Sequence, residues 1–192
     1  VRLVVEDGLG SGAGVLEIQA EVIQAAQTEI GRLWQQNHVT IAQEHMASAI
    51  AQLSLAALFE RAVPGKPLGK KLVLACVAGE QHDLPARMVA DFLELEGFDV
   101  RYLGADVPHD DLVELIEHER PDLIGLSVTM SFNVPALRLA VARVRAATDR
   151  PIFVGGHALR WAADLAGELG VEAAGTDPAS VIALARRMTG LA

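Results

Sequence analysis

The chain has 192 residues, 51% hydrophobic and 4% aromatic, with a formal net charge of −9. This length is enough for one α/β domain and a smaller second unit. No apolar run reaches the roughly 18 residues of a membrane span, so we expect a soluble protein with no membrane partner. The acidic balance leaves no broad basic surface for phosphate backbones, so we expect no direct nucleic-acid binding by this segment.

One cysteine, Cys76, excludes an internal disulfide and fits a reducing cytoplasm, where we place the protein. It lies inside the apolar run KLVLACVAG, and we interpret it as a small core residue. The sequence lacks an initial Met and has the glycine-rich stretch EDGLGSGAG near its start, at residues 6–14, which we expect to be frayed. Such a start is compatible with a piece of a longer protein.

The first third of the chain has helical periodicity. Apolar residues, Leu53 among them, recur every three or four positions from Val15 to Ala62 and predict two helices. Thr40 and Gln43 have the form of a capping box that would start the second helix. We assign residues 1–62 to a helical cap domain. Its helices must bury their apolar faces against each other, against helices that precede this sequence or against the rest of the chain. The stretch RAVPGKPLGKK then predicts a linker at residues 63–70.

From residue 71 to 192, short β-branched runs alternate with helical patterns. The connections suit neighbouring parallel strands covered by helices on both faces. We therefore predict an α/β, flavodoxin-like, doubly wound sheet of five parallel strands. The strands lie in KLVLACVA, FDVRYLG, DLIGLSV, PIFVGG and VEAAG, and the helices cover residues 85–96, 110–119, 134–147, 159–169 and 178–188.

A sheet of this kind binds ligands beyond the carboxyl ends of its strands, at the switch point between the first and third strands if the order is 2-1-3-4-5. That rule selects the loops at residues 78–85 and 127–133. His82 and Ser127 should therefore converge at one edge of the sheet. The glycines at 155 and 156, after the fourth strand, would let a bulky group lie against the backbone.

Several kinds of site are disfavoured at this edge. The first strand is followed by neither a G-x-G-x-x-G nor a Walker loop, Ser127 lacks the glycines of a nucleophile elbow, and the six histidines form no zinc cluster. What remains is an imidazole with a carboxylate two residues before it. A metal-ligating histidine needs an acceptor on its other nitrogen, which Glu80 or Ser127 can supply. By itself, His82 is better explained as an ordinary polar loop residue.

The combined spacing of three segments resembles the D-x-H-x-x-G, S-x-L and G-G signature of cobalamin-binding domains. The matching segments are Glu80-x-His82-x-x-Pro85, Ser127-Val128-Thr129 and Gly155-Gly156. The resemblance implies that cobalamin binds with its own base displaced and with His82 as the lower cobalt ligand. It also places Glu80 and Ser127 behind that histidine and the glycine pair beside the nucleotide tail.

This chain departs from the signature at three positions: Glu80 replaces Asp, Pro85 replaces Gly, and Thr129 replaces Leu. Pro85 suits the first position of a helix but should restrict Leu84 to extended geometry. The resemblance further implies cofactor contacts by Asp83 and Thr129, and by His157, which follows the glycine pair. We interpret Trp161 and His109 as packing or solvated residues, and GTDPAS, at residues 175–180, as a helix cap.

The helical segment carries a second motif. Trp34, nine residues and then Glu44-His45 resemble the W-x9-E-H motif of CarH-like, adenosylcobalamin-dependent photoreceptors. That resemblance implies that Trp34 packs on the adenosyl group and that Glu44 and His45 contact its sugar or neighbouring atoms. Gln35 occupies the position of a histidine that can capture cobalt after illumination in such proteins. The alternative is that Trp34 anchors two helices and the Glu-His pair is a polar surface.

Two functions agree with these motifs. The first is a non-enzymatic light sensor that binds adenosylcobalamin, changes conformation or assembly on photolysis, and regulates transcription through a separate or missing effector. The second is a corrinoid carrier protein of a methyltransferase system, which shares the fold. A flavodoxin-like response module without a cofactor is a third hypothesis. The expected partners are the corrinoid and either further copies of the chain or an effector protein.

Overall fold

A computed structural model describes residues 1–162 and 164–191, without the side chains of Arg2 and Val4. The chain divides into two compact units, one ending at Val63 and one starting at Pro64. Within these residues, no helix combines the length and apolar character required to cross a membrane.

The first unit is helical. Its second and third helices are joined by a π-helical segment. The third helix packs against the fourth, to which a short connection links it. The elements are α1 (Arg2–Gly10), α2 (Val15–Glu17), the π-helical Ile18–Gln24, α3 (Ala25–Gln35) and α4 (Ile41–Phe59). The predicted capping box is confirmed, since Thr40 Oγ1 accepts from Gln43 N at 3.3 Å and Gln43 Oε1 accepts from Thr40 N at 2.9 Å.

Two expectations for the helical unit were wrong. The start of the chain is not frayed but forms α1, because Val5 is buried and Gly8 lets α1 approach Ile18, whose Cδ1 would lie 2.8 Å from a Cβ at that glycine. Leu53 is 62% exposed instead of buried. Helix α4 is apolar around most of its circumference, so periodicity alone did not select the face that packs.

The second unit has the predicted alternation of strands and helices. Its elements are β1 (Lys71–Cys76), α5 (Leu84–Glu96), β2 (Asp99–Tyr102), α6 (His109–Glu119), β3 (Leu123–Ser127), α7 (Val134–Ala147), β4 (Ile152–Gly155), α8 (Leu165–Glu168), β5 (Glu172–Ala173) and α9 (Pro178–Met188). Single 3₁₀ turns, Ser131–Asn133 and His157–Arg160, precede α7 and follow β4. All strand pairs are parallel in the order β2-β1-β3-β4-β5, which confirms the flavodoxin-like fold.

Alternate residues of β1 face opposite layers, as a strand buried on both sides requires. Leu72 and Leu74 pack in a cluster with residues of α5 and α9, whereas Val73 and Ala75 pack in a cluster with residues of α6 and α7. Cys76 is fully buried, which confirms it as a core residue, and burial raises the pKa of its thiol to about 12.

The expected continuous helix over residues 159–169 was wrong. Ala158 N donates to Val128 O at 3.3 Å, which ties the chain after β4 to the end of β3 and favours a tight 3₁₀ turn followed by the short α8. Helix α5 starts at Leu84, so Pro85 lies in its first turn and Leu84 is helical rather than extended. The chain predicted to be a linker packs on the end of α5, with Gly65 N donating to Leu95 O at 2.7 Å.

Candidate functional site

The carboxyl ends of three neighbouring strands lie level with one another. Cys76 of β1 pairs in register with Ser127 of β3, which pairs with Gly155 of β4. The loops after β1 and β3 therefore leave the sheet side by side, at the switch point of the topology. This edge is the one that the sequence predicted for a ligand.

Glu80 joins the two loops. Its side chain is fully buried, and its Oε2 accepts hydrogen bonds from Thr129 N and Met130 N, both at 2.9 Å, and from Asn133 Nδ2 at 3.0 Å. Its Oε1 accepts from His82 N at 3.0 Å and lies 2.6 Å from His82 Nδ1. Five donors from two loops thus converge on one buried carboxylate.

These contacts keep Glu80 ionised. Burial alone would raise its pKa, but hydrogen bonds from His82, Met130 and Asn133 outweigh burial and lower the pKa to about 2. Because an ionised carboxylate only accepts hydrogen bonds, Nδ1 of His82 must carry a proton. In a neutral His82 the lone pair is then on Nε2, the other ring nitrogen. The side chain of His82 is 50% exposed.

Asn133 is a site residue that the sequence analysis missed. It is 7% exposed, and its Nδ2 donates to Gly79 O at 3.2 Å as well as to Glu80. Asparagine immediately before a helix normally caps that helix, but here the side chain makes no cap hydrogen bond. Its place in a loop at the switch point was the only signal in the sequence.

Asp106, in the loop after β2, was also missed. Its Oδ1 accepts from Gly79 N at 2.6 Å, its Oδ2 accepts from Gln81 Nε2 at 3.1 Å, and its own N donates to Glu80 O at 2.9 Å. Asp106 has φ of 51°, a left-handed conformation that Asp tolerates better than most residues. It fixes the backbone on both sides of Glu80.

Ser127 and Thr129 lie on either side of Val128, where β3 ends. Ser127 is buried, and the thiol of the neighbouring Cys76 donates to His82 O, with Sγ and O 3.9 Å apart. The backbone N of Thr129 contacts Glu80, whereas its buried Oγ1 has no hydrogen-bond partner among the described residues. A buried hydroxyl without a partner costs about 1–3 kcal/mol, so a ligand that bonds to it would recover that energy.

The two glycines after β4 have different roles. Gly156 has φ of 110°, and a Cβ there would collide with the Val128 carbonyl, so the fold itself requires this glycine. A Cβ at Gly155 would meet only Ala174 Cβ, at the ordinary contact distance of 3.7 Å. Gly155 is therefore the glycine of the pair whose missing side chain leaves room for a ligand.

Three further residues at this edge are engaged with protein groups. The hydroxyl of Tyr102 lies 3.1 Å from the carbonyl oxygen of Asp83 and 3.2 Å from its Oδ2. His157 is exposed and contacts Trp161 edge to face, with ring centroids 6.3 Å apart. Trp161 is 79% exposed, in agreement with its interpretation as a solvated residue.

In the helical unit, the three motif residues lie at one end of the hairpin of α3 and α4. Trp34 is in the last turn of α3 and is 39% exposed. Glu44 is in the first turn of α4, where its Oε1 accepts from Ser48 Oγ and its Oε2 lies near His45 Nδ1, both at 2.7 Å. The side chain of His45 is 74% exposed.

Comparison with known proteins identifies the family. A family model described as a B12 binding domain matches residues 70–183, and a second B12 binding domain model matches residues 1–59. This chain belongs to the B12-binding domain family. It is therefore a cobalamin-binding protein, and the cofactor class predicted from the signature is confirmed.

Two curated relatives differ in role. The HTH-type transcriptional repressor CarH of Myxococcus xanthus is 34% identical over 73% of this chain and 47% of its own length. Dimethylamine corrinoid protein 1 of Methanosarcina acetivorans is 29% identical over 64% of this chain and 58% of its own length. The chain thus spans about half the length of these relatives, and the predicted resemblance to CarH-like proteins is confirmed.

One solved structure extends the match in fold to both units. The monomethylamine corrinoid protein of Methanosarcina barkeri superposes with a TM-score of 0.81 and covers 95% of this chain and 88% of its own, at 20% sequence identity. At that identity, the superposition supports the fold of a B12-binding domain with a helical cap.

The residues at the sheet edge fit a cobalamin. Within the described part of the chain, no group of three or more His, Cys, Asp or Glu side chains could hold a metal ion. A metal bound by His82 would therefore bring most of its ligands with it, as the cobalt of a corrin does. The charged acceptor on Nδ1, the unpartnered hydroxyl of Thr129 and the room at Gly155 all suit such a ligand.

We expect Glu80→Gln to destabilise the cofactor-free protein by about 3 kcal/mol, because one amide oxygen cannot accept from both loops and the amide N–H would face a donor. The folded-state pKa of about 2 lies below the ordinary 4.5, so the contribution of Glu80 to stability is complete above about pH 4.5. The difference in the free energy of unfolding between wild type and Glu80→Gln should shrink as the pH falls towards 2. Urea denaturation of both proteins at pH 7 and pH 3 measures this difference.

Glu168→Gln is the matched control. Glu168 is exposed and pairs with Arg138 on the surface, so its loss should cost less than about 1 kcal/mol. Equal denaturation midpoints for wild type and Glu80→Gln at pH 7 would show that the carboxylate does not hold the two loops together.

Proposed function

We propose that this chain is the light-sensing part of a regulator that binds adenosylcobalamin, with His82 as the cobalt ligand. The contact between Glu80 and His82 Nδ1, at 2.6 Å, is the observation that supports His82 as the cobalt ligand. It fixes the ring and its tautomer, presents Nε2 as the coordinating nitrogen, and makes that nitrogen more basic. No residue of the site is assigned a catalytic role.

The preference for the adenosyl form rests on the helical unit. Trp34 offers partly exposed indole surface for an aromatic base. Glu44, held by Ser48 and His45, keeps a carboxylate that can accept from ribose hydroxyls, while His45 lies largely in solvent. The identity with the CarH repressor supports the same assignment.

Adenosylcobalamin supplies a cobalt–carbon bond that visible light breaks. In the dark, Trp34, Glu44 and His45 bind the adenosyl group and so stabilise one arrangement of the helical unit. Without that group the three side chains lose their ligand, and the chain changes its assembly or its contact with an effector. His82, held by Glu80, retains the corrinoid throughout.

The second candidate is a corrinoid carrier that presents a methylated cofactor to partner proteins. The relation to a dimethylamine corrinoid protein favours it. A carrier uses the same histidine and the same sheet edge. The two functions therefore differ in the group accepted opposite His82 and in the response to light.

The deciding experiment adds adenosylcobalamin or methylcobalamin in the dark and then green light, followed by absorption spectroscopy and size-exclusion chromatography. We expect tighter binding of the adenosyl form, a spectrum of histidine-ligated cobalt and a change of size on illumination. His82→Ala should lose that spectrum and at least about tenfold in affinity, because the coordinating nitrogen is gone. His118→Ala, at an exposed position of α6, is the control and should behave as wild type.

Unchanged spectra for His82→Ala would remove this residue as the ligand. Equal or tighter binding of methylcobalamin, with no change of size in light, would favour the carrier instead of the sensor.

Trp34→Ala should reduce the preference for adenosylcobalamin over methylcobalamin, measured as the ratio of the two affinities, by about fivefold, because aromatic stacking contributes on the order of 1 kcal/mol beyond simple area burial. Trp161→Ala, which replaces the other tryptophan of the chain, should leave the ratio unchanged. Titrations of both variants with both cobalamins measure this ratio of affinities. If the two variants gave the same ratio, Trp34 would have no role in selecting the upper group.

Thr129→Val separates stability from binding. Removing the unpartnered hydroxyl should leave the free energy of unfolding of the cofactor-free protein unchanged or raise it by about 1 kcal/mol. If Oγ1 bonds to the cofactor, cobalamin affinity should fall about fivefold, and Thr129→Ser should restore much of it. Denaturation and spectral titration give the two quantities, and wild-type affinity in Thr129→Val would exclude the contact.

A further inference from the structure

Phe132 is an exposed aromatic residue on the loop that carries the partners of Glu80. Its side chain is 69% exposed, whereas the other four phenylalanines of the chain are buried or half-buried. Single exposed apolar residues are common on protein surfaces, so exposure alone has no meaning. The position of this residue relative to His82 is what distinguishes it.

Two residues beside Phe132 on this loop are held by Glu80 or by each other. Met130 N and Asn133 Nδ2 donate to Glu80 Oε2, and Asn133 N donates to Met130 O at 2.9 Å to close the 3₁₀ turn. Phe132 lies at the tip of this closed turn and its ring remains outside the core. Its backbone is therefore held by the carboxylate that also orients His82.

The chain limits how far Phe132 can lie from the ligand site. Consecutive Cα atoms are 3.8 Å apart, so the Cα of Phe132 is within about 12 Å of the Glu80 carboxylate. A ligand as wide as a corrin ring covers such a distance. Cofactor sites are lined mainly by apolar and aromatic side chains, and the backbone that carries this ring is already held at the edge of the site before any ligand binds.

We propose that Phe132 is a cobalamin contact that packs against methyl and methylene groups of the corrin and slows release of the cofactor. The inference rests on the proposed coordination by His82 and adds a residue that the cobalamin signature does not include. Phe132 acts through surface contact alone, so it should affect affinity without altering the ligation of cobalt.

The test compares Phe132→Ala with Leu139→Ala, a matched loss of an exposed apolar side chain in α7 that is 46% exposed in the wild type. We expect Phe132→Ala to raise the dissociation constant for hydroxocobalamin about tenfold, mainly through faster release, and Phe132→Leu to restore most of the affinity. Leu139→Ala should bind as wild type. Denaturation of the cofactor-free Phe132→Ala variant should match wild type, since the ring is exposed.

The spectrum of the bound cofactor separates this inference from the proposed function. Weaker binding with an unchanged histidine-ligated spectrum supports the contact. Wild-type affinity in Phe132→Ala, or a fall in its stability as large as its loss of binding, would overturn the contact and leave His82 as the ligand. A wild-type protein whose bound spectrum does not depend on His82 would overturn both.

Discussion

The site depends on the burial of one ionised carboxylate. Placing a charge in the interior is costly unless hydrogen bonds replace its hydration, and Glu80 receives them from two loops that follow different strands. The charge can be satisfied only when both loops are in place. The same hydrogen bonds to Glu80 that stabilise the loops therefore also fix the ring of His82. Because the imidazole is already oriented, binding of a ligand does not incur the entropic cost of ordering it.

The sheet makes this convergence possible. Parallel strands in the order 2-1-3-4-5 bring the ends of β1, β3 and β4 to one level. The loops after β1 and β3 become neighbours although their contacting residues, Glu80 and Met130, are 50 positions apart in sequence. Gly156 serves the same arrangement, because its left-handed backbone and missing Cβ let it lie against Val128. Gly155 has no such constraint, which separates a glycine required by the fold from one that leaves space at the site.

The alternation of parallel strands and helices was predictable from periodicity, and a flavodoxin-like strand order, taken as a condition, located the switch point. Whether Glu80 or Ser127 pairs with His82 was left open by the sequence, and the structure shows that it is Glu80. Asn133 and Asp106 were not predictable, since each looks like an ordinary loop residue until the fold brings it to Glu80. Helix α1 was missed because a glycine-rich segment resembles a frayed end unless its packing on Ile18 is known. The 3₁₀ turn after β4 likewise depends on a hydrogen bond to Val128, which lies on another strand.

The division into two units explains why the fold does not separate a sensor from a carrier. Glu80, His82 and their partners lie in the α/β unit, and the proposed ligation of cobalt by His82 is the same for both candidate functions. The proposed selection of the adenosyl group rests instead on Trp34, Glu44 and His45, which lie where α3 ends and α4 begins in the helical unit. Discrimination is a difference in binding free energy, and a few contacts to an adenosyl group are enough to supply it.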